Sequence, residues 1–186
     1  VVPTLLNVIG PCVSGPALLL GLADLTLMSE DAFAYVSGPD TVRAFTGIEL
    51  DHRLLGGARI HDRRSGVSTI VVADEATALD TCWTLLEYLP ANHLEDPPQW
   101  DTDDPVDRPC VRAAATVPAR ATASYDVRAV IDDIVDHESR VELRAHHAPN
   151  IVTALARLDG RTLGIIANQP QQRAGTLDIE ASEKAA

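Results

Sequence analysis

The sequence predicts an α/β protein assembled from a repeated strand, turn and helix unit, and three stretches carry that reading. In Leu5-Leu6-Asn7-Val8-Ile9-Gly10-Pro11-Cys12-Val13-Ser14-Gly15-Pro16-Ala17-Leu18-Leu19-Leu20-Gly21 a strand-like apolar run meets a Gly/Pro/Ser turn and then an Ala/Leu segment of helical character. The order recurs where Ser37-Gly38-Pro39 follows a strand-like stretch and precedes Asp40-Thr41-Val42-Arg43-Ala44-Phe45. A β-branched run over residues 67–73 then leads into a helical pattern over residues 74–88.

Taken in order, residues 5–9 read as a strand and Pro16 sits at the first helical position, where its missing N–H costs nothing. The Ser14 and Gly15 amides then lie at the positive end of a helix, a geometry suited to an oxyanion. A plain buried strand packed on a helix explains the same spacing. Residues 25–28 and 32–36 read as short strands around the polar turn Ser29-Glu30-Asp31, and Gly47 ends the helix begun near Pro39. In Leu54-Leu55-Gly56-Gly57-Ala58 the adjacent glycines allow either a positive φ or close approach of another group. Over residues 74–88, Ala76, Leu79, Cys82, Trp83 and Leu86 recur at helical steps and form the expected inner face, with Trp83 in the core.

From residue 90 to about 122 the character changes to prolines and acids without periodicity, the mark of a connection between domains. Asp101, Asp103, Asp104 and Asp107 lack the Gly and Glu of a calcium loop, so no metal is expected there. Asp126 caps a helix over residues 127–137 whose inner face is Val127, Val130, Ile131, Ile134 and Val135. His146 and His147 are neighbours whose side chains point apart, with no third ligand in view. Residues 151–157 and 162–168 form a hairpin through Asp159-Gly160.

Composition narrows the function. A net charge of −12 argues against nucleic acid or an anionic membrane as partner, since no clustered Lys/Arg stands out. No apolar run reaches the ~18 residues of a spanning helix and no basic stretch precedes the apolar start, so a cytoplasmic protein is expected. Cys12, Cys82 and Cys110 are odd in number and far apart, which fits reduced thiols. The chain opens without Met and stops at the start of a helix, and so reads as an excised piece.

Gly10-Pro11-Cys12-Val13-Ser14-Gly15, Ser37-Gly38-Pro39-Asp40, Leu55-Gly56-Gly57-Ala58, His61, Ser65-Gly66-Val67, Asn150-Ile151-Val152, Gly164-Ile165-Ile166-Ala167-Asn168-Gln169-Pro170 and Leu177-Asp178-Ile179-Glu180-Ala181-Ser182 run collinearly along the chain. Together they resemble the carboxyltransferase (β) subunits of biotin-dependent acyl-CoA carboxylases, of the acetyl-/propionyl-CoA carboxylase group. The resemblance implies a crotonase-like (ClpP/crotonase superfamily) ββα spiral in two incomplete halves. Residues 1–90 would end the first half, 91–122 connect, and 123–186 begin the second. It implies transfer of CO2 from carboxybiotin to the α-carbon of a short acyl-CoA, with the biotin covalently carried on a partner subunit and its ureido nitrogen taking the proton. The Ser14 and Gly15 amides would hold the enolate oxygen, and Gly56, Gly57, Ala58 and His61 would wall the CoA or biotin side; a structural loop with a solvated His61 is the competing view. A second donor pair would lie beyond Ala186. The partners implied are a biotin carboxylase/biotin carrier subunit and further copies of the chain, through dimeric carboxyltransferase units.

Three positions depart from the family pattern: Ser14 replaces a glycine, Pro16 a residue with a free N–H, and Thr176 a common Cys. Two further readings stay open, a decarboxylase subunit that runs the transfer in reverse and a non-catalytic subunit kept for assembly.

Overall fold

Short parallel strands organise the first half of the chain in the computed structural model, which describes residues 1–120 and 122–186. The molecule divides into two units, Val1–Leu86 and Glu87–Ala186.

In the first unit β1 (Leu5–Val8), β3 (Leu25–Ser29) and β5 (Ile70–Val72) form one parallel sheet in the order β1-β3-β5. A second pair, β2 (Pro11–Val13) and β4 (Phe33–Tyr35), is parallel as well, so chain-adjacent strands lie in different sheets. β2 was not expected, because three residues after Gly10 show no period of their own. Leu27 and Met28 are neighbours on opposite faces of β3, and both are fully buried, as befits a parallel sheet covered on both sides. One face packs Val8, Leu20, Met28, Ala32, Ala34 and Ala58 into a single cluster.

The helix expected after Pro16 is a 3₁₀ segment, Gly15–Gly21, closed by i→i+3 bonds such as Ala17 N–H to the Ser14 carbonyl at 3.1 Å. With three residues per turn, Ala17 and Leu20 fall on the inner side while Leu18, Leu19 and Leu22 stay exposed. α1 (Pro39–Thr46) ends as expected at Gly47, whose φ of 74° closes the last turn onto the Arg43 carbonyl. α2 (His52–Gly56) and α3 (Ala58–Ile60) run into a π-helical turn, His61–Ser65.

α4 (Glu75–Leu86) starts at Asp74, whose carboxylate accepts from the Thr77 amide at 2.8 Å. Its inner face corrects the expectation: Ala78 and Leu85 are buried, whereas Trp83 is 69% exposed and Leu79 and Leu86 also face outward. Two apolar stripes compete on this helix, and the small residue Ala78 permits the close approach to β3 that a tryptophan would block.

The second unit begins four residues earlier than the expected boundary at 90. The ring of Tyr88 is buried there, its hydroxyl donates to the Ser139 carbonyl, and the Arg157 guanidinium stacks over it at 4.2 Å. The acidic stretch, whose residue 121 lies outside the described residues, is mostly exposed over residues 91–110 yet is tied to the unit at particular points. It contains α5 (Val111–Thr116); Asp133 accepts from the Ala113 amide at 2.8 Å, and the Trp100 amide donates to the Gly160 carbonyl at 3.0 Å. α6 (Val127–Ile134) is capped by Asp126, and stops three residues short of expectation because Val135 turns extended. Ile131 and Val135 pack on β7 (Ile151–Leu158), while Ile134 points outward.

β7 pairs antiparallel with β8 (Arg161–Asn168) across Asp159-Gly160, where both residues have positive φ, and with an unexpected third strand, β6 (Val141–Leu143). Asp136 fastens the turn by accepting from the Asp159 and Gly160 amides at 3.0 and 2.8 Å. α7 (Ile179–Ala185), capped by Asp178, closes a smaller cluster through Ala181. None of the helices among the described residues is long and apolar enough to cross a membrane.

Candidate active site

β4 is the element on which the candidate residues of the first unit converge. On one side it pairs with β2, and the ladder ends where the Ser14 amide donates to the Tyr35 carbonyl at 2.9 Å. Ser14 then takes φ 63°, ψ −130°, a conformation that favours glycine, and sends the chain into the 3₁₀ segment. This corrects the expectation that both amides face a ligand: the Ser14 N–H is spent on the ladder. The Gly15 N–H heads the helical segment, where no upstream carbonyl of the helix is placed to receive it. A Cβ built on Gly15 meets nothing within 4 Å, so the space beside it is open.

On its other side β4 receives the glycine pair. The Ala58 amide donates to the Ala32 carbonyl at 3.1 Å, and Phe33 bridges Gly57. Neither glycine needs a positive φ; Gly57 has φ −69°. Close approach is the reason for both. A Cβ on Gly56 would lie 2.1 Å from the Ala34 carbonyl oxygen, and one on Gly57 would lie 2.6 Å from that of Arg53.

His61 is held rather than solvated. Its Nε2 lies 2.9 Å from the Ala34 carbonyl oxygen, which only accepts, so Nε2 carries the proton and Nδ1, 3.0 Å from Ser65 Oγ, accepts. Both ring nitrogens are therefore engaged within the fold. On the outer side of β4, Phe33, Tyr35 and His52 stack with centroids 4.9–5.8 Å apart, and the Tyr35 hydroxyl meets His52 Nδ1 at 2.6 Å. Burial pushes the Cys12 thiol in β2 up, which disfavours its thiolate form.

Gly57 and Ala58 also border a groove of about 530 Å³, whose lining does not include Gly56 or His61. Arg53, Arg59, Arg63 and Arg64 line it with Glu30. The composition reading found no basic cluster; the structure makes one from residues spread over two helices and a turn. The Arg63-Arg64 doublet, four residues after Arg59, was the available signal. Among the described residues no group of three or more His, Cys, Asp or Glu is placed to hold a metal ion. His147 is buried and His146 exposed, so the two diverge.

The family model described as the carboxyl transferase domain matches residues 1–186. The chain belongs to the carboxyl transferase domain family. A propionyl-CoA carboxylase carboxyltransferase subunit from Haloferax mediterranei is 40% identical over 187 residues, covering all of this chain and 36% of that protein. A methylmalonyl-CoA decarboxylase subunit alpha from Propionigenium modestum is 33% identical, again over the whole chain and 36% of the relative. Among solved structures, the transcarboxylase 12S subunit with hydrolysed methylmalonyl-coenzyme A bound superposes with a TM-score of 0.95 at 36% identity, covering 99% of this chain and 36% of that one. The fold of this carboxyl transferase chain is accordingly the crotonase-like one. It spans about 36% of the length of the relatives it matches.

Proposed function

We propose that the protein is the carboxyltransferase component of a biotin-dependent acyl-CoA carboxylase, acting on a short acyl-CoA such as acetyl- or propionyl-CoA. The single observation that supports this most is the end-to-end match to carboxyltransferase subunits, preserved in three dimensions at a TM-score of 0.95. Carboxybiotin, brought by a biotin carboxylase/biotin carrier partner, would supply the CO2, and the ureido nitrogen left with the electron pair when that N–C bond breaks would take the proton. The chain's own task is to stabilise charge. Removing a proton from the carbon beside a thioester places negative charge on the carbonyl oxygen, and a fixed N–H aimed at that oxygen is worth about 10²–10³ in rate.

The Gly15 amide is the donor we assign to that oxygen, since it lies open at the end of the β2–β4 ladder. Ser14 sets its direction: with its own N–H bonded to Tyr35 and its φ at 63°, it fixes the plane of the peptide that carries the Gly15 N–H. Gly56, Gly57, Ala58 and His61 hold β4 on the side away from β2, and the groove that Gly57 and Ala58 border is the one we assign to the CoA or biotin side. The site works within an assembly of dimeric carboxyltransferase units in the cytoplasm.

The test is a carboxylation assay on the intact subunit reconstituted with its biotin-carrying partner. Acetyl- or propionyl-CoA is expected to be carboxylated, and Gly15→Pro, which deletes the N–H, is expected to lower kcat by about 10²–10³ with the fold checked by melting temperature. Decarboxylation of methylmalonyl-CoA with no forward reaction would favour the decarboxylase reading, which the 33% identical relative supports. Inactivity of both wild type and Ser14→Gly in both directions would favour a non-catalytic assembly role.

A further inference from the structure

The first unit, though acidic overall, gathers its positive charge in one place. Of the five arginines in Val1–Leu86, four line the 530 Å³ groove beside α2 and α3. The local backbone explains how. In an α-helix Arg64, five residues past Arg59, would be rotated about 140° away from it. Arg63, four residues past Arg59, shares its side in any helix, and the wider π-helical turn His61–Ser65 lets Arg64 line the same groove. Gly66, at φ 65°, ends the turn.

The four are not equivalent. Arg53 pairs with Asp31 at 2.6 Å and Arg63 lies 3.8 Å from Asp62, whereas Arg59 and Arg64 have no carboxylate partner among the described residues. Arg59 and Arg64 are exposed on the lining of one groove, and two like charges there repel one another less when an anion lies between them. Glu30, on the same wall, has no arginine within ion-pair distance among the described residues and so leaves that need unmet. The floor is apolar, from Leu54, Gly57, Ala58 and Ile60, and the volume falls within the roughly 300–1,000 Å³ usual for small-molecule sites.

We propose that this groove binds a phosphate-bearing small molecule, its phosphate held by Arg59 and Arg64 and its apolar body laid on the Leu54, Ala58 and Ile60 floor. Phosphate is the fitting anion because its oxygens accept from two planar forks at once and its second charge balances the second arginine; a carboxylate offers one charge. The phosphate has two possible sources, the nucleotide end of an acyl-CoA or a free inorganic phosphate species. Assigning the acyl-CoA rests on the function proposed above, while the anion site itself does not.

The test is calorimetric titration of the intact subunit with inorganic pyrophosphate, with CoA and with pantetheine, which carries no phosphate. The site is expected to bind pyrophosphate, more weakly as salt rises, and Arg59→Ala/Arg64→Ala is expected to lose about tenfold or more. Arg43→Ala, outside the groove and paired with Glu49, is expected to change nothing. An equal loss of CoA affinity, with pantetheine unaffected, identifies the acyl-CoA as the source. Pyrophosphate binding lost in the double variant while wild type ignores CoA keeps the anion site and removes the acyl-CoA assignment. Pyrophosphate binding that is absent from wild type, or equal in the folded double variant, overturns the proposal.

Discussion

Ser14 carries an L side chain in a backbone conformation that glycine adopts freely, and it does so because its amide closes the β2–β4 ladder on Tyr35. The strain is about 1–2 kcal/mol. Ser14→Gly removes it but frees the unfolded chain by about 0.4–1 kcal/mol, so a net gain of about 0.5–1 kcal/mol is expected, read as a higher denaturant midpoint at unchanged slope. Lys184 is the opposite case, a residue whose side chain the fold takes out of water. Its Nζ donates to the His147 and Ile151 carbonyls at 2.9 and 2.8 Å, and burial pulls it from 10.5 down to about 8. Between those values the unfolded chain binds more protons than the folded one, so this group makes stability rise as pH increases from about 8 toward 10.5. Melting Lys184→Met beside wild type across that range should show the rise only in wild type, a comparison that cancels other groups titrating there.

The β7–β8 hairpin shows how one side chain outside an element secures it. Asp159-Gly160 supplies the positive φ values, and Asp136, reached from the end of α6, takes both turn amides. Asp136→Ala leaves those two donors without their acceptor, and a loss of about 2 kcal/mol is expected in denaturant unfolding. The α5–α6 pair is held in a similar way. The Ala113 amide, bonded to the Asp133 carboxylate, keeps that carboxyl below its usual range, so its contribution is present at neutral pH and is lost as pH falls through the lowered value. In α4 the balance fell differently, since the stripe with the larger side chains was left outside and the one with Ala78 and Leu85 was buried.

Across the molecule, the division at 86/87 assigns Tyr88 to the second unit. A fragment starting at Glu87 is therefore expected to melt higher than one starting at Ala91, which loses the buried ring, its bond to Ser139 and its stack on Arg157. Deleting a buried aromatic costs about 3–5 kcal/mol, enough to move the midpoint of a domain this size by many degrees; equal melting of the two fragments would place the boundary where the sequence first put it.

By itself the sequence determined the punctuation of the chain and its kinship. Asp126 before α6, Gly47 after α1 and Asp159-Gly160 between β7 and β8 were all legible, because caps and turns are written by residues within four positions of one another. Only the tertiary structure decided that β2 joins β4 rather than its chain neighbours, that this pairing takes the Ser14 amide out of the site, and that Arg53, Arg59, Arg63 and Arg64 face one groove. The physical reason is common to all three. A hydrogen-bond partner tens of residues away and a helical turn one residue wider than usual leave no periodic trace in the chain, so where an amide or a guanidinium points is settled by packing.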